Sequence, residues 1–244
     1  MTTAILSRRT ADSHAGFLLP HLRPGMSLLD IGCGPGSITL GLASVVSPGQ
    51  TTGVDLHPGL PDGTGGVRVL RADACDLPFA DDMFDAVFAC ALLQHLPDPM
   101  TALREAYRVA RPGAVVAVAD TDWGGCLVWP ASPRLIRSYD LMRKLRTGSP
   151  DIGRRLRGML VEAGFSRCEA RATAVHHGTP DEVSSYAAFT ASWFTTHAMV
   201  DAAVAHGWAT PAELAAIGEE WLAWGRQPGA FFAGFWCEAI GWVA

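Results

Sequence analysis

No apolar stretch in this sequence approaches the roughly 20 residues needed to span a bilayer, and the opening MTTAILSRRTADSHAG lacks the uninterrupted apolar core of a signal peptide. These absences make a cytoplasmic protein the expectation. Cationic charge is scarce too: 19 Lys and Arg stand against 24 Asp and Glu, a formal charge of −5. No general positive field exists to attract phosphate backbones or anionic lipid, so neither nucleic acid nor a membrane surface is the expected partner. The six cysteines, at 33, 75, 90, 126, 168 and 237, include no CxxC pair and have no histidine at zinc-like spacing. They read as reduced, mostly buried thiols, and no metal site is expected. Fixed-period repeats and low-complexity tracts are also missing.

What remains is a chain of 244 residues, 49% hydrophobic and 18% charged, with 26 Gly and 16 Pro, which can bury a substantial core. A single domain with an embellishment is the expectation. Met26 to Ile31 is a short apolar run between the Pro24-Gly25 turn and a glycine cluster, and reads as a buried parallel strand. From Ser37 the run SITLGLASVV has helical spacing, stops at Ser47-Pro48-Gly49, and gives way to a second strand over Thr52 to Leu56. Strands follow at Val67 to Ala72, Phe84 to Ala89 and Ala114 to Ala119, with a helix over Pro99 to Ala110. This alternation predicts an α/β fold, a doubly wound and mostly parallel sheet with helices on both faces.

Beyond Trp123 the pattern is less regular. A helix is expected over Pro150 to Gly164 and a strand over Glu169 to Val175, and the aromatic run Ala230 to Val243 reads as a strand in preference to a buried helix. Between these strands, residues 179–229 hold two helical patterns, Asp181 to Ala205 and Pro211 to Gly225, with Trp193, Phe194, Trp208, Trp221 and Trp224. An insertion of this length is expected to be a helical lid over a pocket.

The segment Leu28-Leu29-Asp30-Ile31-Gly32-Cys33-Gly34-Pro35-Gly36 places three glycines where a strand turns into a helix, so a ligand can approach the backbone closely. Asp55, 19 residues beyond Gly36, ends the next strand, where a carboxylate can accept hydrogen bonds from a ribose diol. A dinucleotide site would show G-x-G-x-x-G; the pattern here is G-x-G-x-G with an internal proline.

LDIGCGPGSITLGLA, GVDL, RADACDLPFADDMFDAVFACALLQHLPDP and RVARPGAVV, taken in order, resemble the class I S-adenosylmethionine-dependent methyltransferases, particularly the branch of quinone-biosynthesis and small-molecule enzymes. The resemblance runs from about residue 14 to 121. It implies a Rossmann-like seven-stranded sheet whose last strand is antiparallel, with S-adenosylmethionine as cofactor. By the same resemblance, Asp30 and the backbone of Gly32, Gly34 and Gly36 surround the methionyl part, and Asp55 takes the ribose hydroxyls. Leu56 packs on adenine, Asp73 and Ala74 meet its amine and ring, and Cys90 lines the methionine pocket. Residues 1–25, with Arg8, Arg9 and His14, correspond to a cover over the cofactor.

Methyl transfer from a sulfonium is an in-line displacement, so alignment and water exclusion matter most, and a base is needed only for acceptors that lose a proton. His95 and Asp122 are the candidate catalytic groups. Asp120, Trp123, His176 and Trp193 are candidate acceptor contacts, with His177 beside them. The expected partner is a small-molecule methyl acceptor, with the protein a monomer or homodimer. Three alternatives stay open: a nicotinamide oxidoreductase, a cofactor-binding module without turnover, and, within the fold, an arsenite or quinone methyltransferase.

Overall fold

The computed structural model describes residues 9–144 and 148–244, so the expectation for Arg8 and the start of the N-terminal cover lies outside the described residues. In chain order the elements are α1 (Ala11–His14), β1 (Leu28–Ile31), α2 (Ser37–Val46), β2 (Thr51–Asp55), β3 (Arg68–Arg71), β4 (Phe84–Cys90), α3 (Pro99–Val109), β5 (Ala110–Trp129), α4 (Pro133–Lys144), α5 (Leu156–Glu162), β6 (Ser166–His177), α6 (Pro180–Trp193), α7 (His197–Ala205), α8 (Pro211–Trp224) and β7 (Phe231–Trp242).

One seven-stranded sheet runs in the order β3-β2-β1-β4-β5-β7-β6. The pairings β3-β2, β2-β1, β1-β4 and β4-β5 are parallel, with Asp30 level with Gly53 on one side and Phe88 on the other. β7 is antiparallel: Val243 exchanges hydrogen bonds with Gly113 and Ala114, while Gly125 at the other end of β5 faces Phe235. The sheet and its reversed last strand are as the sequence implies. β1 has β2 on one side and β4 on the other, so the connections diverge there and open a crevice at the carboxyl ends of the strands.

Both faces of the central strands are covered, and the period-2 alternation of side chains sorts them. On one face Val87, Val116 and Val118 pack with Leu103 and Leu160; on the other Phe88, Val115 and Ala117 pack with Leu18, Leu42 and Trp236. Full burial of an aliphatic or aromatic side chain of this kind stabilises by about 1.5–3 kcal/mol.

The chain forms two compact units. The first holds residues up to Thr121, Asp151–Ala172 and Trp236–Ala244; the second holds Asp122–Pro150 and Thr173–Phe235. The second has its own core, built on Tyr139, Phe194, Leu214, Trp221, Trp224 and Phe232. The helical segment 179–229 lies within it, together with α4.

Three expectations about local structure are corrected. β5 does not end near Ala119 but continues to Trp129, and α4 follows it in the stretch that read as irregular. The helix expected over Asp181 to Ala205 is two helices, because hydroxyls compete for the carbonyls at the break: Ser192 Oγ donates to Phe189 O, Thr195 Oγ1 to Ser192 O and Thr196 Oγ1 to Trp193 O. The helix expected from Pro150 starts only at Leu156, after a 3₁₀ turn over Gly153–Arg155. The aromatic run near the end is a strand, as read.

Candidate functional site

The glycine loop hangs from β2. The amides of Gly32 and Cys33 both donate to Val54 O, at 2.7 and 3.0 Å. Gly32, Gly34 and Gly36 have φ of +79°, +50° and +79°, the left-handed region where a Cβ is strained. Gly36 caps α2, and a Cβ there would lie 2.5 Å from Leu60 Cδ2. Its missing side chain is therefore filled by the protein itself. Gly34 differs, since a Cβ on it would meet nothing within 4 Å.

Asp55, at the end of β2, holds this loop in place. Its Oδ2 accepts from the Gly34 amide at 3.0 Å and its Oδ1 from the His57 amide at 2.8 Å. Each oxygen has a second lone pair directed elsewhere. After β3, Asp73 Oδ1 accepts from the Cys75 amide at 2.9 Å, and the Asp76 amide donates to Asp73 O at 3.1 Å, closing a tight turn. Both carboxylates thus have their positions fixed by main-chain donors.

Asp55 and Asp73 line one cleft in the first unit, which encloses about 340 Å³ including its open mouth. Gly32, Leu56 and Ala74 line it as well, as do Ile31, Val54, Ala72, Leu92 and Leu96. Leu56 is 49% exposed, an apolar side chain open to the cleft. Leu92 and Leu96 flank the short 3₁₀ turn after β4 and carry no motif, so sequence reasoning missed them.

Asp30 is placed differently. It is buried in β1, and its Oδ2 accepts from Thr39 Oγ1 of α2 at 2.6 Å. Burial is the main cause of its carboxyl being pushed up to about 7, against the opposing effect of the Thr39 bond. Asp30 ties β1 to α2 and is absent from the cleft lining. Cys90, ending β4, is also outside that lining; burial holds its thiol protonated, and the Asp30, Asp120 and Glu238 carboxylates add to this against the opposing charge of Arg9. Ala91 follows with φ of +53°, a strained value for a residue with a Cβ, fixed by a 2.8 Å bond from its amide to Ala119 O.

Among the candidate catalytic and acceptor residues, His95 is exposed at the end of the 3₁₀ turn. Asp120 is fully buried, and its carboxylate accepts from the amides of Gln94 and Thr121, both at 3.0 Å. The Thr121 hydroxyl then donates to Gln94 Oε1 at 3.1 Å. This network pins the loop after β4 to the middle of β5, so Asp120 positions backbone and presents no surface to an acceptor. Gln94 was missed because a lone amide in a loop has no pattern.

In the second unit, Asp122 Oδ1 accepts from the Gly124 amide at 3.0 Å, and the Trp123 and Trp193 rings lie 6.5 Å apart. His176 is exposed. His177 is half-buried and stacks on Tyr186 at 4.7 Å, and burial lowers its pKa. Trp221 and Trp224 are buried in that unit's core, and their indole N–H groups donate to Ser138 Oγ and Trp129 O. Among the described residues no group of three or more His, Cys, Asp or Glu could hold a metal ion, and no helix is long and apolar enough to cross a membrane.

A mostly parallel sheet of this strand order, with a glycine loop after β1 and an acidic residue ending β2, is the architecture of class I methyltransferases, and residues 29–118 match the methyltransferase domain family. That part of the chain is similar to methyltransferase domains, and the fold is the class I methyltransferase fold. Among curated relatives, the chain is 34% identical over 131 residues to the probable methyltransferase ltbC of Aspergillus luteorubrus, covering 46% of each. It is 35% identical over 108 residues to the demethylmenaquinone methyltransferase of Staphylococcus aureus, covering 41% of this chain and 45% of that protein. The matches span about half the length of these relatives. A solved phosphoethanolamine N-methyltransferase 2 of Haemonchus contortus, in complex with S-adenosyl-L-methionine, shares the fold at a TM-score of 0.55 and 18% identity, over 90% of this chain and 49% of that one.

Proposed function

We propose that the protein transfers a methyl group from S-adenosylmethionine to a small organic molecule. The observation that carries this reading is the meeting of Asp55, Asp73, Leu56 and Gly32 in one cleft at the carboxyl edge of β1 to β3. The donor and acceptor set fits a nucleoside: a carboxylate for a diol, a second carboxylate for an exocyclic amine, and apolar walls for a purine face. The cofactor supplies an activated methyl on a sulfonium.

The chain's own residues bind and orient. Asp55, held by the Gly34 and His57 amides, accepts the ribose hydroxyls, and Asp73 accepts from the adenine amine. Leu56 and Leu96 cover the ring, with Ala74 beside it. Gly34, the loop glycine with open space before it, lets the methionyl part approach the main chain. Alignment is then the principal catalytic contribution. Where the acceptor must lose a proton, the exposed His95 beyond β4 is the candidate base. The partner is a small molecule, in keeping with the net negative charge.

Calorimetry with S-adenosylhomocysteine and with NADH tests the reading. Binding of the first and not the second supports it. Binding of NADH alone would move the chain to nicotinamide chemistry, and cofactor binding without a methylated product from any acceptor would mark a module without turnover.

A further inference from the structure

The carboxyl edge of the sheet has a second group of polar side chains, away from the nucleoside cleft and entirely within the first unit. Trp236, on β7, is 6% exposed, and its buried indole Nε1 has no hydrogen-bond partner among the described residues. The Arg9 guanidinium lies over its ring, 5.3 Å from the centroid. His14 packs edge-on against the same ring at 5.1 Å, with its Nδ1 2.8 Å from Ser13 Oγ. β7 is antiparallel to β5, and Phe235 faces Gly125, so Trp236 stands level with the end of the β5 core rather than its start. Arg9 also acts electrostatically on Cys90, the residue that ends β4.

The Trp236 indole and the Arg9 guanidinium share one property: they donate, and neither has a hydrogen-bond acceptor among the described residues. Nearby Arg171 differs, since its Nε donates to the buried Glu238 carboxylate and its charge is compensated. Arg9 forms no ion pair among the described residues. A buried indole N–H without a partner is an unfavourable arrangement that an incoming acceptor atom relieves. A cation over its ring face adds attraction for negative charge at the ring edge. The imidazole of His14 is neutral at pH 7, because burial and the Arg9 charge lower its pKa to about 4, so it can accept or donate without adding charge.

We propose that Arg9, His14 and Trp236 form a subsite for an anionic oxygen, carboxylate or phenolate, on the methyl acceptor, making aromatic or other organic acids the acceptor class. The proposal rests on the methyltransferase reading and narrows it. Trp236 donates its indole N–H to the anion, Arg9 supplies the charge, and His14 fixes the ring.

The test uses the ¹⁵N-labelled full chain, whose eight indole groups give separate N–H signals. Trp236→Phe identifies the relevant signal by its loss. Benzoate is titrated in the presence of saturating S-adenosylhomocysteine, with benzamide as the neutral control. The Trp236 signal is expected to move with benzoate and not with benzamide, and Arg9→Gln to weaken the benzoate response about tenfold or more, as the loss of a charged hydrogen bond does. A signal unmoved by benzoate, or moved equally by benzamide, overturns the proposal. A signal moved to the same extent by S-adenosylhomocysteine alone also overturns it, because the anion would then be the cofactor's carboxylate. Cofactor affinity is read separately by calorimetry, so the two readings fail independently.

Discussion

Asp55 Oδ2 accepts a hydrogen bond from the Gly34 amide at 3.0 Å, across 21 residues of sequence. One carboxylate therefore both braces the glycine loop and faces the cleft. Asp55→Ala removes a charged acceptor from the ligand and a brace from the loop. Loss of S-adenosylhomocysteine affinity by about 1–3 kcal/mol is expected, the range for hydrogen bonds to charged groups. Calorimetry on a variant with native circular dichroism checks this, and an unchanged affinity would remove Asp55 from the pocket.

Gly36 is constrained twice, by its φ of +79° and by Leu60 at 2.5 Å from the position of a Cβ. Gly36→Ala is expected to destabilise the fold by about 1–3 kcal/mol through backbone strain and overpacking. Leu60→Ala in the same chain relieves the steric part only. Urea unfolding of the two single variants and the double variant should show a favourable coupling; simple additivity would contradict the contact.

Asp30 makes stability depend on pH. Its folded pKa, about 7, lies above the ordinary carboxylate value near 3.9. In that window the folded state holds a proton that the unfolded state has released. The contribution is present at low pH and is lost as the pH rises through about 7. Asp30→Asn, which keeps an acceptor for Thr39, should flatten the difference between urea midpoints at pH 5 and pH 8. An identical pH slope in the variant would exclude Asp30 as its source.

In the second unit the hydroxyls of Tyr139 and Tyr186 lie 2.9 Å apart. Tyr139 is 8% exposed and its hydroxyl has no other partner among the described residues, whereas Tyr186 is only partly buried. Tyr186→Phe leaves the Tyr139 hydroxyl buried and unpaired, at a cost of about 1–3 kcal/mol. Tyr139→Phe should cost less, and the double variant less than the sum. Equal losses in thermal melts of the two single variants would argue against this asymmetry.

The strands from β1 to β5 were legible because apolar runs bounded by Gly and Pro admit few readings, and β7 because its aromatic residues suit a pleated surface. The extension of β5 was hidden by Gly124 and Gly125, which interrupt the alternation, and α4 by the many charged residues in PRLIRSYDLMRK. The two carboxylates that line the cleft could be read because Asp55 ends a strand and Asp73 follows one closely, each next to a turn. Leu92 and Leu96 could not, since two leucines beside a 3₁₀ turn carry no period. Asp120 illustrates the converse: an acid at a strand end looks available in sequence, yet two backbone amides claim it.

The most direct measurement is a crystal structure with S-adenosylhomocysteine. The account predicts the ribose diol on Asp55 and the adenine beside Asp73, between Leu56 and Leu96. Density for the nucleoside anywhere else, with that cleft holding only solvent, would contradict it.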